Sequence, residues 1–247
     1  MPGVKPVLEI LEAEPSRLDA VFLRKGRRSR ETDRILDLCR AVGVRFTLAD
    51  DALLNRMWPG NHQGVIARLF PSGFADLHTA LADGRSAPLP LLLALDQVQD
   101  PGNIGVMART LYALGGAGIL VPRHNGAYLG AGAQKSSAGT LARLAVVKVP
   151  NLGQALDEAH DAGFAVYGAS ASGAGGDRTI PVLEVFSFVP QFPAVLVLGS
   201  EEGGMRQSIA RRCGALLHIP LAREINSLNV AQAGAVIMGR FAALREK

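Results

Sequence analysis

Two continuous aliphatic runs constrain the fold of this chain more than any other feature of its sequence. LLLAL at 91–95 and AVLVL at 194–198 show no alternation of polar and apolar residues, which is the pattern of parallel strands buried on both faces. Each run leads into a polar loop, and a third strand and loop lie within 218–240. Because ligands of open α/β sheets bind at the carboxyl ends of the strands, these three loops are predicted to share one pocket.

The 247 residues are predicted to form two α/β domains. Residues 1–70 alternate short helical and strand patterns and predict a small first domain. Residues 71–88 are rich in proline and glycine and predict a linker that contains a short helix near 75–82. Residues 89–247 predict a larger domain built on a parallel sheet. Its strands are expected near 91–96, 118–122, 145–149, 164–169, 194–199 and 215–219, and its helices near 104–114, 152–162, 206–211 and 229–243.

The composition argues against several kinds of protein. Aromatic residues make up 5% of the chain, which disfavours a sheet that stacks RNA bases. Cys39 and Cys213 lie far apart without a histidine cluster, which disfavours a disulfide framework and a structural zinc site and suggests two small buried side chains. The apolar runs are too short to span a bilayer and no signal pattern is present, so we expect a cytoplasmic protein with no membrane partner. A pI of about 9.4 permits a polyanionic partner.

The candidate functional groups in the three loops are amides, a guanidinium, a carboxylate and a hydroxyl, and none is a histidine or a cysteine. This set disfavours acyl transfer by Ser–His or Cys–His pairs and zinc-dependent hydrolysis. Amides beside a guanidinium suit the positioning of a phosphate or a sugar. The candidate residues are Asn103, Arg109, Glu201, Ser227 and Asn229.

Two glycine-rich stretches carry no nucleotide-binding fingerprint. Residues 125–140 and 170–178 contain no GxxxxGK[ST], and no GxGxxG follows a first strand. We interpret the first stretch as a turn and helix cap that also borders the pocket, and the second as a loop or hairpin. A nicotinamide-dependent Rossmann enzyme is therefore disfavoured.

Three segments resemble, in order and spacing, the signature motifs of the SpoU, or TrmH-type, RNA ribose 2′-O-methyltransferases of the SPOUT superfamily. They are DPGNIGVMART at 100–110, LVLGSEEGGM at 196–205 and IPLAREINSLNVAQA at 219–233. NHQGVIARL at 61–69 resembles the end of the amino-terminal substrate-binding domain of the ribosomal RNA branch. Within that branch the likeness is to enzymes that methylate a guanosine of 23S ribosomal RNA. One departure is Ala231, where family members often have a serine.

The resemblance implies a SPOUT-type parallel sheet with a carboxy-terminal trefoil knot, which would lie at about 194–235 in this chain. It implies a homodimer with active sites at or near the subunit interface, and the last helix is expected either to pack in that dimer or to belong to the intrachain core. The implied cofactor is S-adenosylmethionine, held mainly by backbone groups and without a metal. The implied cofactor-binding residues are Leu198, Gly199, Ile219 and Leu228.

The same resemblance places the five candidate residues at the methyl-transfer site. Without it, Asn103 would be interpreted as a turn or capping residue and Arg109 as a solvated charge. With it, Arg109 is expected to face the pocket. A guanidinium stays protonated in proteins, so we expect Arg109 to bind the phosphate beside the target ribose rather than to act as a base. The enzyme would chiefly align a ribose 2′-hydroxyl with an already activated methyl group.

The RNA partner is predicted at two levels. LRKGRRSR at 23–30 is either a solvated loop or a phosphate-binding patch, and the resemblance favours the patch. Its candidate residues are Arg24, Lys25, Arg27 and Arg28. The expected substrate is large-subunit ribosomal RNA or the assembling ribosome. The alternatives are the same chemistry on transfer RNA and a non-catalytic RNA-binding homologue.

Overall fold

The structure is a computed structural model that describes residues 1–26, 29–70, 72–126, 128–171, 180–223, 225 and 227–245. Contacts between Cα atoms divide the chain into two compact units. The first comprises Met1–Phe74 and Tyr128–Gly130, and the second comprises Ala75–Ala127 and Ala131–Lys247.

The first unit is built on a three-stranded sheet of order β2-β1-β3. β1 pairs with β2 in parallel and with β3 antiparallel. Ser29 and Asp50 cap the second and third helices of this unit with their side chains, which explains where both helices begin. The strands are β1 (Leu18–Arg24), β2 (Arg45–Ala49) and β3 (Val65–Leu69), and the helices are α1 (Val4–Ala13), α2 (Arg30–Ala41) and α3 (Asp51–Met57), with a 3-10 turn at Pro15–Arg17.

The second unit is built on a seven-stranded sheet of order β6-β5-β4-β9-β7-β10-β8, and all of its strand pairings are parallel. The strands are β4 (Leu89–Asp96), β5 (Gly116–Pro122), β6 (Ala145–Val149), β7 (Ala165–Ser170), β8 (Val182–Glu184), β9 (Ala194–Gly199) and β10 (Ala215–His218). The helices are α4 (Leu77–Gly84), α5 (Pro101–Ala113), α6 (Ala131–Ser136), α7 (Leu152–Asp161), α8 (Gln207–Ala210) and α9 (Val230–Leu244), with a 3-10 turn at Thr140–Arg143. The predicted α/β class and parallel sheet are confirmed.

The two aliphatic runs lie side by side at the centre of the second unit. β4 and β9 pair in parallel, and their core residues are fully buried as the unbroken apolar pattern predicts. One face of the sheet packs in a cluster with residues of α4 and α7. On α9, Gly234 permits a close approach to β9, because a Cβ there would lie 2.8 Å from the Leu198 Cδ1 atom.

Both cysteines are buried side chains, as predicted. Cys39 belongs to the core of the first unit and Cys213 to that of the second. Burial raises the pKa of the Cys39 thiol to about 11 and that of the Cys213 thiol to about 12. Each therefore behaves as a small hydrophobic residue rather than a nucleophile. Among the helices in the described ranges, none has the length and apolar character needed to cross a bilayer.

Candidate active site

The candidate site lies at the carboxyl edge of the second sheet, where the loops after β4, β9 and β10 begin. β4 and β9 are neighbours, and Asp96 at the end of β4 pairs in register with Gly199 at the end of β9. The chain segments that follow these two residues are therefore brought to the same place. Proximity of the first two motifs follows directly from strand order.

Three predicted site residues form one hydrogen-bonded group, which we call the amide–carboxylate cluster: Asn103, Glu201 and Asn229. The Asn103 Nδ2 atom donates to Glu201 Oε1 at 2.7 Å. The Asn229 Nδ2 atom donates to Asn103 Oδ1 at 3.2 Å and also to Glu201 Oε1. These residues come from three separate motifs, so the structure joins one polar side chain from each.

Helix capping fixes two members of this cluster. Asp100 caps α5 by accepting a hydrogen bond from the Gly102 N–H at 2.9 Å, and Asn103 consequently lies in the first turn of α5. Asn229 caps α9, since its Oδ1 accepts from the Ala231 N–H at 2.9 Å. With its oxygen committed to the helix, the Asn229 amide can present only its NH2 group to the cluster.

The loop 200–204 folds back over the end of β9. Ser200 and Gly204 exchange two backbone hydrogen bonds of 2.9 Å each, and Gly204 has a φ of 63°. Gly199 cannot carry a side chain here, because a Cβ would lie 2.2 Å from the Gly204 carbonyl carbon. The glycines of the second motif thus allow a closed loop that presents Glu201 to the cluster.

A buried ion pair lies beneath this loop and was missed by the sequence analysis. Asp96 is 0% exposed, and both of its oxygens accept hydrogen bonds from Arg206. The available signal was an acidic residue that ends an aliphatic strand, because a buried carboxylate requires a partner. The sequence did not indicate which cation would provide it.

A cavity of about 340 Å³ opens beside the amide–carboxylate cluster. All four predicted cofactor-binding residues line it, and so do Glu201 and Ser227. The end of β7 contributes Ala169 and Ser170, which the sequence analysis did not single out. A second cavity, of about 360 Å³, includes Asn103 in its lining and shares the segment 200–203 with the first. The lining of the first cavity includes Ala169, Ser170, Leu198, Gly199, Glu201, Ile219, Ser227 and Leu228.

The composition of the first cavity fits S-adenosylmethionine. Leu198, Ile219 and Leu228 offer apolar surface to a flat base, and the glycine loop offers main-chain groups. Glu201 brings a carboxylate, which suits a cationic sulfonium. Among the residues that the structure describes there is no cluster of three or more metal-binding side chains.

Arg109 is not brought into the cluster, contrary to the expected pocket-facing orientation. It is exposed on α5, lines neither cavity, and makes no hydrogen bond or ion pair with any residue in the described ranges. It lies six positions after Asn103, which corresponds to a net rotation of about 120° around the helix axis. Helical geometry therefore gives the two residues of the first motif different directions.

The predicted RNA-binding patch belongs to the first unit and is described in part. Arg24 is half-buried and forms an ion pair with Asp51, whereas Lys25 is exposed. Arg27 and Arg28 lie outside the described residues. Most of the predicted loop or hairpin at 170–178 also lies outside them, since 172–179 are not described.

Comparison with known families gives two matches along the chain. Residues 90–239 match the SpoU rRNA Methylase family, and residues 2–75 match the family of RNA 2′-O ribose methyltransferase substrate binding domains. The 23S rRNA (guanosine-2′-O-)-methyltransferase RlmB of Pseudomonas aeruginosa is 33% identical over 248 residues, covering 99% of this chain and 95% of the relative. An uncharacterized tRNA/rRNA methyltransferase of Mycolicibacterium vanbaalenii is 33% identical over 98% of this chain and 76% of its own length.

Solved structures show the same architecture. The SpoU methyltransferase AviRb of Streptomyces viridochromogenes, in complex with the cofactor AdoMet, superimposes with a TM-score of 0.59 at 25% identity, covering 100% of this chain and 90% of that chain. An AdoMet-bound rRNA methyltransferase from Sinorhizobium meliloti has a TM-score of 0.59 at 20% identity, covering 98% and 86%. The matches confirm the resemblance that the three motifs carry.

Proposed function

This chain belongs to the SpoU rRNA methylase family, and from that premise we propose that it methylates the ribose 2′-hydroxyl of a guanosine in 23S ribosomal RNA. It is an S-adenosylmethionine-dependent RNA methyltransferase. The observation that carries the proposal is the amide–carboxylate cluster, which joins one polar side chain from each motif and whose Glu201 lines the proposed cofactor cavity. The substrate is the free RNA or the assembling large subunit in the cytoplasm.

The cofactor supplies an activated methyl group on its sulfonium. Main-chain groups and apolar side chains at Gly199, Ile219 and Leu228 would hold it, and Ser227 lies in the same lining. Asn103 and Asn229 fix the Glu201 carboxylate by donating to its Oε1 atom, which leaves Oε2 to accept a hydrogen bond from the ribose hydroxyl. This bond would hold the ribose hydroxyl in a fixed orientation at the site.

Arg109 binds the phosphate next to the target ribose. A fixed positive charge there lowers the proton affinity of the hydroxyl, and its proton passes to Glu201 or to water. Because Arg109 lies outside both cavities of its own chain, this role requires the site to be completed by an adjoining surface. We assign that surface to a second copy of the chain in a homodimer, with α5 and α9 at the interface and a trefoil knot at 194–235 behind it.

The first domain, residues 1–70, delivers the RNA and residues 89–247 carry the methyl-transfer site. Residues 71–88 connect the two, and their helix α4 packs in the core of the second unit. Lys25 supports the role of the first domain because its side chain is exposed. Arg24 precedes it in the same basic segment. The match of residues 2–75 to substrate-binding domains supports the assignment.

Transfer of tritiated methyl from S-adenosylmethionine tests the proposal. Unmodified large-subunit ribosomal RNA and unmodified transfer RNA are assayed in parallel with the full chain. Label in ribosomal RNA, mapped as alkali-resistant 2′-O-methylguanosine, is the expected result. Label only in transfer RNA would keep the chemistry and overturn the substrate. No label in either RNA or in assembly intermediates, with cofactor still bound, would indicate a non-catalytic RNA-binding homologue.

A further inference from the structure

We propose that the ion pair between Asp96 and Arg206 holds the loop 200–204 in the conformation that binds the cofactor. Both are positioning residues, because they act through that loop rather than on the substrate. The inference rests on the proposed function, since it concerns the same site.

The burial of Asp96 shows how strongly this pair is constrained. The carboxylate is 0% exposed, and a buried charge is tolerated only when it is paired and hydrogen-bonded. Arg206 satisfies both oxygens: its backbone N–H donates to Oδ2 at 2.8 Å, and its Nε donates to Oδ1 at 2.8 Å. The Arg206 Nη2 atom lies 2.6 Å from Oδ1. Three contacts fix the main chain and the side chain of Arg206 together.

The position of the pair gives it control over the loop. Asp96 is opposite Gly199, the residue that precedes the loop, and Arg206 follows the loop by two residues. The two backbone hydrogen bonds between Ser200 and Gly204 close the loop between these points. The end of strand β4 therefore fixes the position of the chain both before and after the loop.

The loop in turn carries the parts of the site that need accurate placement. Residues 200–204 line the proposed cofactor cavity, and Glu201 anchors the amide–carboxylate cluster. A hydrophobic side chain at position 96 could fill the same volume, but it could not accept three directional contacts. The ionic pair thus provides geometry that apolar packing would not.

The chain offers a second ion pair with the same 2.8 Å contact from an arginine Nε to a carboxylate, more exposed than the first and remote from the cavity. Arg212 Nε donates to Asp157 Oδ1 at 2.8 Å, joining the residues after α8 to α7. Neither residue lines the cofactor cavity. Asp157→Asn is therefore a control that removes an ion pair without touching the loop 200–204.

Calorimetric titration with S-adenosylmethionine, at a temperature well below each variant's Tm, tests the proposal on the full chain. We expect Asp96→Asn and Arg206→Ala to weaken cofactor binding by about tenfold or more. Asp157→Asn should leave it within about twofold, the difference expected for a surface pair. Steady-state kinetics should show a raised KM for the cofactor and a lowered kcat, with the KM for RNA unchanged. Arg206→Lys, which keeps the backbone donor and the charge, should recover part of the affinity.

Two results would overturn the inference: cofactor affinity within twofold of wild type in folded Arg206→Ala, or an equal loss of affinity in Asp157→Asn. If neither Asp96→Asn nor Arg206→Ala folds, Arg206→Lys decides, because it leaves the buried carboxylate paired but removes the Nε contact; cofactor affinity within twofold of wild type in that variant would overturn the inference. Failure of the proposed function would look different, since the wild-type chain would then not bind the cofactor or would not transfer the methyl group.

Discussion

Asn229 performs two tasks with the two ends of one amide. Its Oδ1 caps α9 at the Ala231 and Gln232 N–H groups, at 2.9 Å and 3.4 Å, while its Nδ2 donates into the amide–carboxylate cluster. An aspartate could cap the helix equally well but would offer no donor. The two tasks can therefore be separated by substitution.

Replacement of Asn229 by Asp should preserve folding and abolish most activity. We expect the free energy of unfolding of Asn229→Asp to stay within about 0.3 kcal/mol of wild type, because aspartate caps a helix as well as asparagine does. Turnover should fall by about tenfold or more, because a second carboxylate would face Glu201 without a hydrogen to donate. The control, Asn229→Ala, should lose about 1 kcal/mol of stability as well as activity. Urea unfolding and methyl transfer measure both. Wild-type turnover in Asn229→Asp would mean that the contacts of Nδ2 are dispensable.

At the residue level, motif order predicted that certain side chains would meet, but not where every one of them would point. Asn103, Glu201 and Asn229 were predicted from motif order, and they meet because β4 and β9 are neighbours. The direction of Arg109 depends on the rotation of α5 against the sheet, which is set by packing. The partner of Asp96 lies 110 residues away, so no local pattern could reveal it.

Among the elements, α9 shows how two glycines in one helix can have opposite roles. A Cβ on Gly234 would lie 2.8 Å from Leu198 Cδ1, whereas a Cβ on Gly239 would meet nothing within 4 Å. Leu198 also lines the proposed cofactor cavity. Close packing of α9 on β9 is thus linked to the shape of that cavity.

Alanine substitution at these two positions should shift stability in opposite directions. Gly239→Ala should raise the free energy of unfolding by about 0.5–1 kcal/mol, because glycine is unfavourable inside a helix. Gly234→Ala should lower it by about 1–3 kcal/mol through overpacking. It should also weaken cofactor binding, because Leu198 must move. Thermal unfolding and calorimetric titration measure these effects. Destabilisation by Gly239→Ala would indicate that a second copy of the chain covers this position.

Elements with a strong pattern were predictable, and short ones were not. β4 and β9 follow from their unbroken apolar runs, and the helical pattern after β4 became α5. The strand β8 has three residues, and none of them is buried. It therefore lacks the alternation of buried and exposed residues from which a strand can be predicted. The helix α6 has six residues and lies inside the glycine-rich stretch 125–140, for which a turn and a helix cap were predicted. These two elements form through tertiary contacts rather than local preference.

Across the whole molecule, charge should govern RNA affinity through the first unit. Lys25→Ala should weaken binding to ribosomal RNA and lower the slope of log K against log salt by about 0.7–0.9, the effect of one lost phosphate contact. Arg34→Ala is the control, because the Arg34 guanidinium is already paired with Glu12. Filter binding at several salt concentrations measures both. An unchanged slope in Lys25→Ala would mean that the Lys25 ammonium group contacts solvent and not an RNA phosphate.

Self-association should complete the methyl-transfer site. A single chain has a mass of 26.0 kDa, and light scattering should give about twice that value for a homodimer.

Arg109→Ala and Glu201→Gln should each abolish turnover while the chain still folds, since both side chains are exposed. If Arg109 serves the partner's site, a mixed dimer of the two variants contains one site with both residues intact. An equimolar mixture that exchanges subunits should then recover up to about a quarter of wild-type activity, because about half of its dimers are mixed. With Arg109 acting in its own chain, each mixed dimer would have one defect in each site and the mixture would stay inactive.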